Sequence, residues 1–422
     1  MKLMNRIDNR SKRQTFLLIL ILGALETITP ISIDMYLPAF PKIVNDFNTD
    51  INKVALSVST YFLGFALGEI VYGPLLDRFG RKRPLYIGLG LYVLASIVCG
   101  VSNSIDSFLI MRFVQALSGC VASVAAIAMV RDFFPVEKTS SVLSFLFLIV
   151  GVSPMLAPTI GGFIVTAFGW RFVFGMLAII ASIMIAVVFF FLPQGHAPDK
   201  TISLKPKPIV KGFKQILWEP KFYVFALAGT FSFSGLFVYV AGSPAIFMDG
   251  FHVSANEYGG IFALLSIGFI GSSQLNHLLS RKYSNRQIYE VTAIIQLTFS
   301  CFYLLGVLNG WYGLWANIIF LFVTLSCAGL GYPNAAAIAL SPFSKNAGSA
   351  SALLGFIQIG IGGLISSGVG MLNMKGSLAV SLIMTISSAV ALIILLIGKT
   401  KISKTIDNDI KFHNEEKLLF EN

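Results

Sequence analysis

Twelve apolar runs, each about the length needed to cross a bilayer, constrain this chain more than any other feature. A hydrocarbon core takes roughly 20 apolar residues per helix. Runs of that order occur at about 16–37, 54–76, 84–102, 106–128, 141–166, 171–192, 222–244, 257–279, 287–308, 313–336, 348–371 and 377–398. The expected fold class is therefore all-α integral membrane, with twelve transmembrane helices. Composition agrees: charged residues make up 12% of the chain, about half the ~25% of a soluble domain, and mean hydropathy is +0.79. These values exclude a cytosolic enzyme, a disordered regulator and a secreted disulfide scaffold. Cys99, Cys120, Cys301 and Cys327 lie inside apolar segments without metal-ligand spacing and read as small buried hydrophobes. No metal site is expected.

The first run follows Lys2, Arg6, Arg10, Lys12 and Arg13, as a secretory leader would. Glu26 and Asp34 interrupt it, however, and at about 22 residues it reads as a retained first helix. The net charge of +11 comes from short basic clusters between apolar runs, a topology signal and not a nucleic-acid footprint. Of the 31 Lys and Arg residues, 26 fall in the loops on the N-terminal side. Lys42, Lys53, Arg171 and Lys375 fall on the other side, and Arg112 lies inside a span. That asymmetry places both termini in the cytoplasm.

The long connection at 193–221 carries Pro193, Pro198, Pro206, Pro208 and Pro220 together with six lysines. It divides the chain into a cytoplasmic N-terminus (1–15), a six-helix bundle (16–192), the central loop (193–221), a second six-helix bundle (222–398) and a cytoplasmic tail (399–422). The halves echo each other: the Gly73 to Arg83 loop after span 2 corresponds to Asn276 to Arg286 after span 8, with Ser280 where Asp77 would fall. Two similar six-helix bundles around a central cavity form a transporter plan.

The charged residues within the spans that need an account are Glu26, Asp34, Glu69, Arg112 and Glu290. A charge at mid-bilayer costs at least ~2.5 kcal/mol, so each needs a partner or a function. With ~1.5 Å of rise per residue, Asp34 and Arg112 fall at similar depth, and Glu26 lies ~12 Å deeper. Asp34 is thus expected to pair with Arg112 and remain ionised. Glu26, desolvated and unpaired, is the better candidate to exchange a proton. Pro30 between the two acids should loosen the helix. Glu69 and Glu290, nearer the basic loops, are expected to find interfacial partners and serve structural roles. The second half has no deep charge to match Glu26, which places proton chemistry in the first six helices.

The loop Gly73-Pro-Leu-Leu-Asp77-Arg78-Phe-Gly80-Arg81-Lys82-Arg83 contains more than a basic anchor needs. Its pattern, G-x-x-x-D-R-x-G-R-K between spans 2 and 3, resembles that of the major facilitator superfamily. Arg112-Phe-Val-Gln115 followed by Gly119 resembles the R-x-x-Q motif of proton-coupled members. Gly151 to Pro154, then Ala157-Pro158-Thr-Ile-Gly161-Gly162, resembles the antiporter motif of span 5, with Ala157 in place of a glycine. Ile33-Asp34-Met35-Tyr36-Leu37-Pro38-Ala39-Phe40-Pro41 is similar to the span-1 signature of the bicyclomycin/chloramphenicol resistance (Bcr/CflA) drug:proton antiporters.

The resemblance implies the major facilitator fold in two pseudo-symmetric bundles, a bacterial inner-membrane location, and proton-coupled export of drugs or other small amphipathic compounds by alternating access. The partners would be the drug, protons and the bilayer, with no nucleic acid. No cofactor is expected, since the proton gradient drives transport, and the monomer would suffice. Carried over by position, Glu26, Asp34 and Arg112 would serve proton coupling and substrate, while Gly73, Asp77, Arg78, Gly80 and Arg81 would form a gating loop. Asp77 would cap the start of span 11 near Gly348 to Ser351. Pro154, Pro158, Gly161 and Gly162 would let span 5 bend and pack closely. Tyr61, Phe65, Phe231, Tyr239 and Phe356, with Gln115 and Gln358, are candidates for the cavity wall. The alternative on the same fold is a dedicated exporter of one endogenous metabolite or siderophore, or an importer. No catalytic residues are expected: His196, His252, His277 and His413 are scattered, and the adjacent acids Glu415 and Glu416 lie in the polar tail.

Overall fold

A computed structural model of the chain describes residues 12–195, 198–199, 213–343, 347–372 and 374–420. The basic stretch up to residue 11, most of the central loop and His196 lie outside the described residues. Twelve of the described helices are long and apolar enough to cross a membrane. They are α1 (Lys12–Asp34), α2 (Ile51–Phe79), α3 (Lys82–Val101), α4 (Ile105–Phe133), α5 (Val136–Phe168) and α6 (Trp170–Phe190) in the first half. The second half contributes α7 (Pro220–Pro244), α8 (Ala255–Leu279), α9 (Asn285–Leu308), α10 (Leu314–Leu340), α11 (Ala347–Met371) and α12 (Gly376–Phe420).

The helix ends follow local chemistry. Asp50 accepts from the Lys53 N–H at 2.9 Å to start α2, and Ser254 with Glu257 and Ser284 with Gln287 form capping boxes for α8 and α9. Two joins need glycine's freedom. Gly80 (φ 79°) closes α2 and Gly169 (φ 87°) joins α5 to α6, both in a region that costs other residues a strained backbone. Three expected boundaries shift. Span 1 stops at Asp34 and continues as a short turn, Leu37–Ala39, and an eight-residue helix, Phe40–Phe47, both started by prolines. α7 runs on into a wider turn, Ala245–Gly250. α12 continues beyond the apolar run to Phe420.

Small residues bring the spans together, as expected where no hydrophobic force drives helices to associate. α2 crosses α4 so closely that a Cβ on Gly64 would lie 2.4 Å from the Phe113 carbonyl oxygen. The second half repeats this crossing between α8 and α10, where a Cβ on Gly329 would lie 2.3 Å from the Phe269 carbonyl oxygen.

The two halves meet along α2–α11 and α5–α8. Their closest approaches lie at the end away from the basic loops. There a Cβ on Gly162 would meet the Ala255 carbonyl oxygen at 2.8 Å, and one on Gly370 the Asn52 carbonyl oxygen at 2.6 Å. Gly161 is tighter still, its Cβ position 1.8 Å from the carbonyl oxygen of Met35. That carbonyl cannot retreat without moving the turn that follows α1. Gly161→Ala is therefore expected to cost about 1–3 kcal/mol, read as a lower thermal transition of the detergent-solubilised protein. Gly151→Ala, whose Cβ would meet Ile270 at an ordinary 3.6 Å, should leave the transition unchanged.

Candidate functional site

The residues singled out in the membrane sort into three places. The first is a cluster around Arg112, which is completely buried. Its guanidinium lies between two aromatic faces, 4.2 Å from the Tyr36 ring centroid and 4.4 Å from that of Tyr61, with Phe174 at 5.6 Å. It donates to the Gln115 side-chain oxygen at 2.5 Å and to the Ser32 carbonyl at 3.1 Å. Gln115 passes the network on to Ser96 at 2.7 Å. Tyr36 is held in turn by Ser57 at 2.8 Å, and Ser32 by Tyr92 at 2.5 Å. One cation thus ties α1, α2, α3 and α6 to α4. Desolvation is offset by ring faces and neutral acceptors.

The expected ion pair between Asp34 and Arg112 is not formed. The ion pairs among the described residues are Arg81–Asp77, Arg81–Asp132, Arg171–Asp46 and Arg286–Glu290. The two side chains face different ways. Arg112 meets the Ser32 backbone carbonyl near the end of α1 and the Tyr36 ring in the turn beyond it, whereas Asp34 lines the cavity between the halves.

Asp34 faces the second place, a cavity of about 350 Å³ between the halves. Around it stand Pro30 and Phe62 from the first half, Pro154 and Gly151 from α5, and Phe237, Tyr239, Phe262, Phe269 and Gln274 from α7 and α8. Phe62 and Phe237 touch edge to face across the boundary, 4.5 Å between centroids. Pro30 has no N–H for the carbonyl of Glu26, and Pro154 none for that of Val150, so two helices beside the cavity carry freed carbonyls. Of the residues suggested for the wall, Tyr239 lines this cavity. Tyr61 and Gln115 belong to the Arg112 cluster. Phe65 is buried in the core, Phe231 is half-buried, Phe356 packs beside the core of the second half, and Gln358 accepts a hydrogen bond from Tyr332.

The third place is the end that carries the basic loops. Arg81, nine-tenths buried, donates to Asp77 at 2.5 Å and to both oxygens of Asp132 at 2.8 and 3.2 Å. Asp132, at the end of α4, is the partner that the linear motif does not contain. Arg78 lies over the Phe79 ring at 5.9 Å, and Gly73 faces open space. The central loop begins on this cluster. The Asp199 N–H donates to the Asp77 carbonyl at 3.1 Å, and a Cβ on Gly195 would meet Arg81 at 2.7 Å and Asp132 at 2.8 Å. Asp77 shares a cavity of about 490 Å³ with Ser349 and Ala352 of α11. Residues 344–346, where a cap on α11 would begin, lie outside the described residues.

Glu26 accepts from Ser123 at 2.8 Å. Glu290 has the basic partner expected of it, Arg286 at 2.7 Å. Glu69 has none among the described ion pairs, and one of its oxygens is buried without a hydrogen bond. If Arg112 depends on Gln115 and not on Asp34, Gln115→Leu should cost about 1–3 kcal/mol through an unsatisfied buried donor. Asp34→Asn should leave the thermal transition where it is.

Comparison with known proteins agrees with this arrangement. A bicyclomycin resistance protein homolog from Haemophilus influenzae (strain ATCC 51907 / DSM 11121 / KW20 / Rd) is 29% identical over 385 residues, covering 91% of this chain and 96% of the relative. The multidrug resistance protein MdtL of Shewanella sp. (strain ANA-3) is 27% identical, covering 90% and 95%. Among solved structures, a D-xylose-proton symporter superposes with a TM-score of 0.71 at 13% identity, covering 89% of this chain and 97% of that one. A bacterial homolog of the human lysosomal transporter Spinster, inward-facing and unoccupied, gives 0.66 at 16%, covering 92% and 96%. The family model for the Major Facilitator Superfamily matches residues 15–367. With twelve spanning helices built on that plan, the chain belongs to the Major Facilitator Superfamily and is a transporter of small molecules, not an enzyme.

Proposed function

We propose that this protein exports drugs or other small amphipathic compounds from the cytoplasm across a bacterial inner membrane in exchange for protons. The observation that carries the reading is Asp34, a membrane-embedded carboxylate on the wall of an otherwise mostly apolar cavity between the two halves. A volume of about 350 Å³ falls in the range that takes a drug-sized ligand. Phe62, Phe237, Tyr239 and Phe262 offer tolerant apolar faces with few directional demands. The names of the relatives, bicyclomycin resistance and multidrug resistance, fit such a cavity.

In this mechanism the drug enters from the cytoplasm and displaces a proton from Asp34. The halves then rock about α2–α11 and α5–α8, and protons arriving from outside expel the drug. Each charge moved across 100 mV supplies ~2.3 kcal/mol, enough for a concentration ratio of nearly two decades. Arg112 holds the half of α1 that carries Asp34 against its neighbours, and so acts as a positioning residue. Both termini and the basic loops face the cytoplasm, transport needs no cofactor, and the monomer suffices.

Adding bicyclomycin or tetraphenylphosphonium to lightly buffered, detergent-solubilised protein should acidify the medium. Asp34→Asn should abolish most of that release. Silence with both probes and with chloramphenicol, from folded protein, would overturn drug:proton exchange in favour of a dedicated metabolite carrier. Phe262→Ala should raise the drug concentration for half-maximal release by roughly three- to tenfold, the loss of one aromatic contact, with the maximal release unchanged.

A further inference from the structure

Glu69, like Glu26, is an intramembrane carboxylate that the mechanism above leaves unused, and its surroundings differ from those of Asp34. It stands on α2 at the inner end of the 490 Å³ cavity, whose outer part holds Asp77, Arg81 and Arg131. Glu26, on α1, meets the same stretch of α4 whose next residue, Val124, lines this cavity with Glu69. Both carboxylates flank the same turn of α4. Ser123 donates to Glu26 at 2.8 Å, and Gly68, next to Glu69, packs on Cys120 so tightly that a Cβ would lie 2.7 Å from it.

Each of the two carboxylates has one oxygen buried without a hydrogen bond. The neighbours supply little to offset a charge. Cys120 and Ser123 come from α4 and Tyr332 from α10, with the Tyr332 hydroxyl committed to Gln358 of α11. From α11, Gly355 closes over Glu69, with its Cβ position 3.1 Å from the carboxylate. Two ionised carboxylates in such a place would each bear the desolvation penalty and repel one another. One proton between them removes most of that cost.

We propose that Glu26 and Glu69 are a coupled carboxylate pair that holds one proton and exchanges it with solvent at the basic-loop end, through the cavity beneath Asp77 and apart from Asp34 and the drug. This rests on the reading of the chain as proton-coupled. Because Glu69 lies under Gly355 on the other half, the pair also senses whether the halves are closed at this level. A neutral Glu69 fits beneath α11, whereas a charged one favours hydration and separation.

The test needs no drug. Infrared difference spectra against pH, on purified protein in hydrated lipid films, follow the protonated-carboxyl stretch in wild type, Glu26→Gln, Glu69→Gln, the double variant and Asp34→Asn. If the pair is coupled, each single variant moves the pH midpoint of the remaining carboxyl by about one unit or more. The double variant then abolishes that component, and Asp34→Asn leaves it. Independent, additive loss of two bands would overturn the pair. Glu69→Asp substitutes where Glu69→Gln does not yield monodisperse protein, and an unmoved Glu26 midpoint there also counts against coupling. For the route, Ala128→Phe, which fills the cavity, should slow the band's response to a pH jump several-fold, while Ser266→Phe in the central cavity should not. An unchanged rate in Ala128→Phe would overturn the route. Coupled titration together with no drug-induced proton release would leave the pair standing and remove the antiport reading.

Discussion

A guanidinium buried in the membrane with no carboxylate beside it sets the terms for the first half of this molecule. Arg112 cannot be left alone in a low-dielectric interior, and the chain surrounds it with two tyrosine faces, a glutamine oxygen and a backbone carbonyl. Each partner comes with its own support: Ser57 behind Tyr36, Ser96 behind Gln115, Tyr92 behind Ser32. Those contacts fix the end of α1 and the turn after it against α4, through the Ser32 carbonyl and the Tyr36 ring. Asp34 is then turned toward the other half. The arginine does not neutralise the acid; it aims it.

The second constraint is steric. At the end away from the basic loops the halves touch glycine to backbone, at Gly162 against Ala255 and Gly370 against Asn52. At the opposite end they are separated by the cavity shared by Asp77, Arg81 and Ser349. Contacts of the first kind are strong only when complete, because dispersion falls away within an ångström of separation. Two halves joined by such surfaces favour discrete arrangements over continuous flexing.

How far the sequence alone reaches can be followed residue by residue. The twelve spans and their order were legible because hydropathy is a one-dimensional property that the bilayer converts directly into length. Gly80 and Arg81 were legible as a motif, and Gly161 and Gly162 as small residues in a span. Asp132 was not, since it meets Arg81 from 51 positions away and no local spacing marks it. Asp34 does not meet Arg112 although their heights are similar by residue count. Counting residues gives height along the membrane normal but not azimuth, and two positions of α1 separate Ser32 from the opposite face. Glu69 meets no interfacial cation among the described ion pairs, because its direction places it under Gly355 of α11. Most of the suggested cavity aromatics were decided by azimuth too.

The attachment of the central loop has a mechanical meaning. Asp199 hydrogen-bonds to Asp77, and Gly195 seats against Arg81 and Asp132, so the connection to the second half leaves the first half from its ion cluster and not from the end of α6. If the halves rotate as proposed, a pull carried through Asp199 and Gly195 falls on the junction of α2, α3 and α4. The ion cluster is then the bearing on which the tether pulls. Widening residue 195 would loosen that bearing, since a Cβ there would already lie 2.7 Å from Arg81 and 2.8 Å from Asp132.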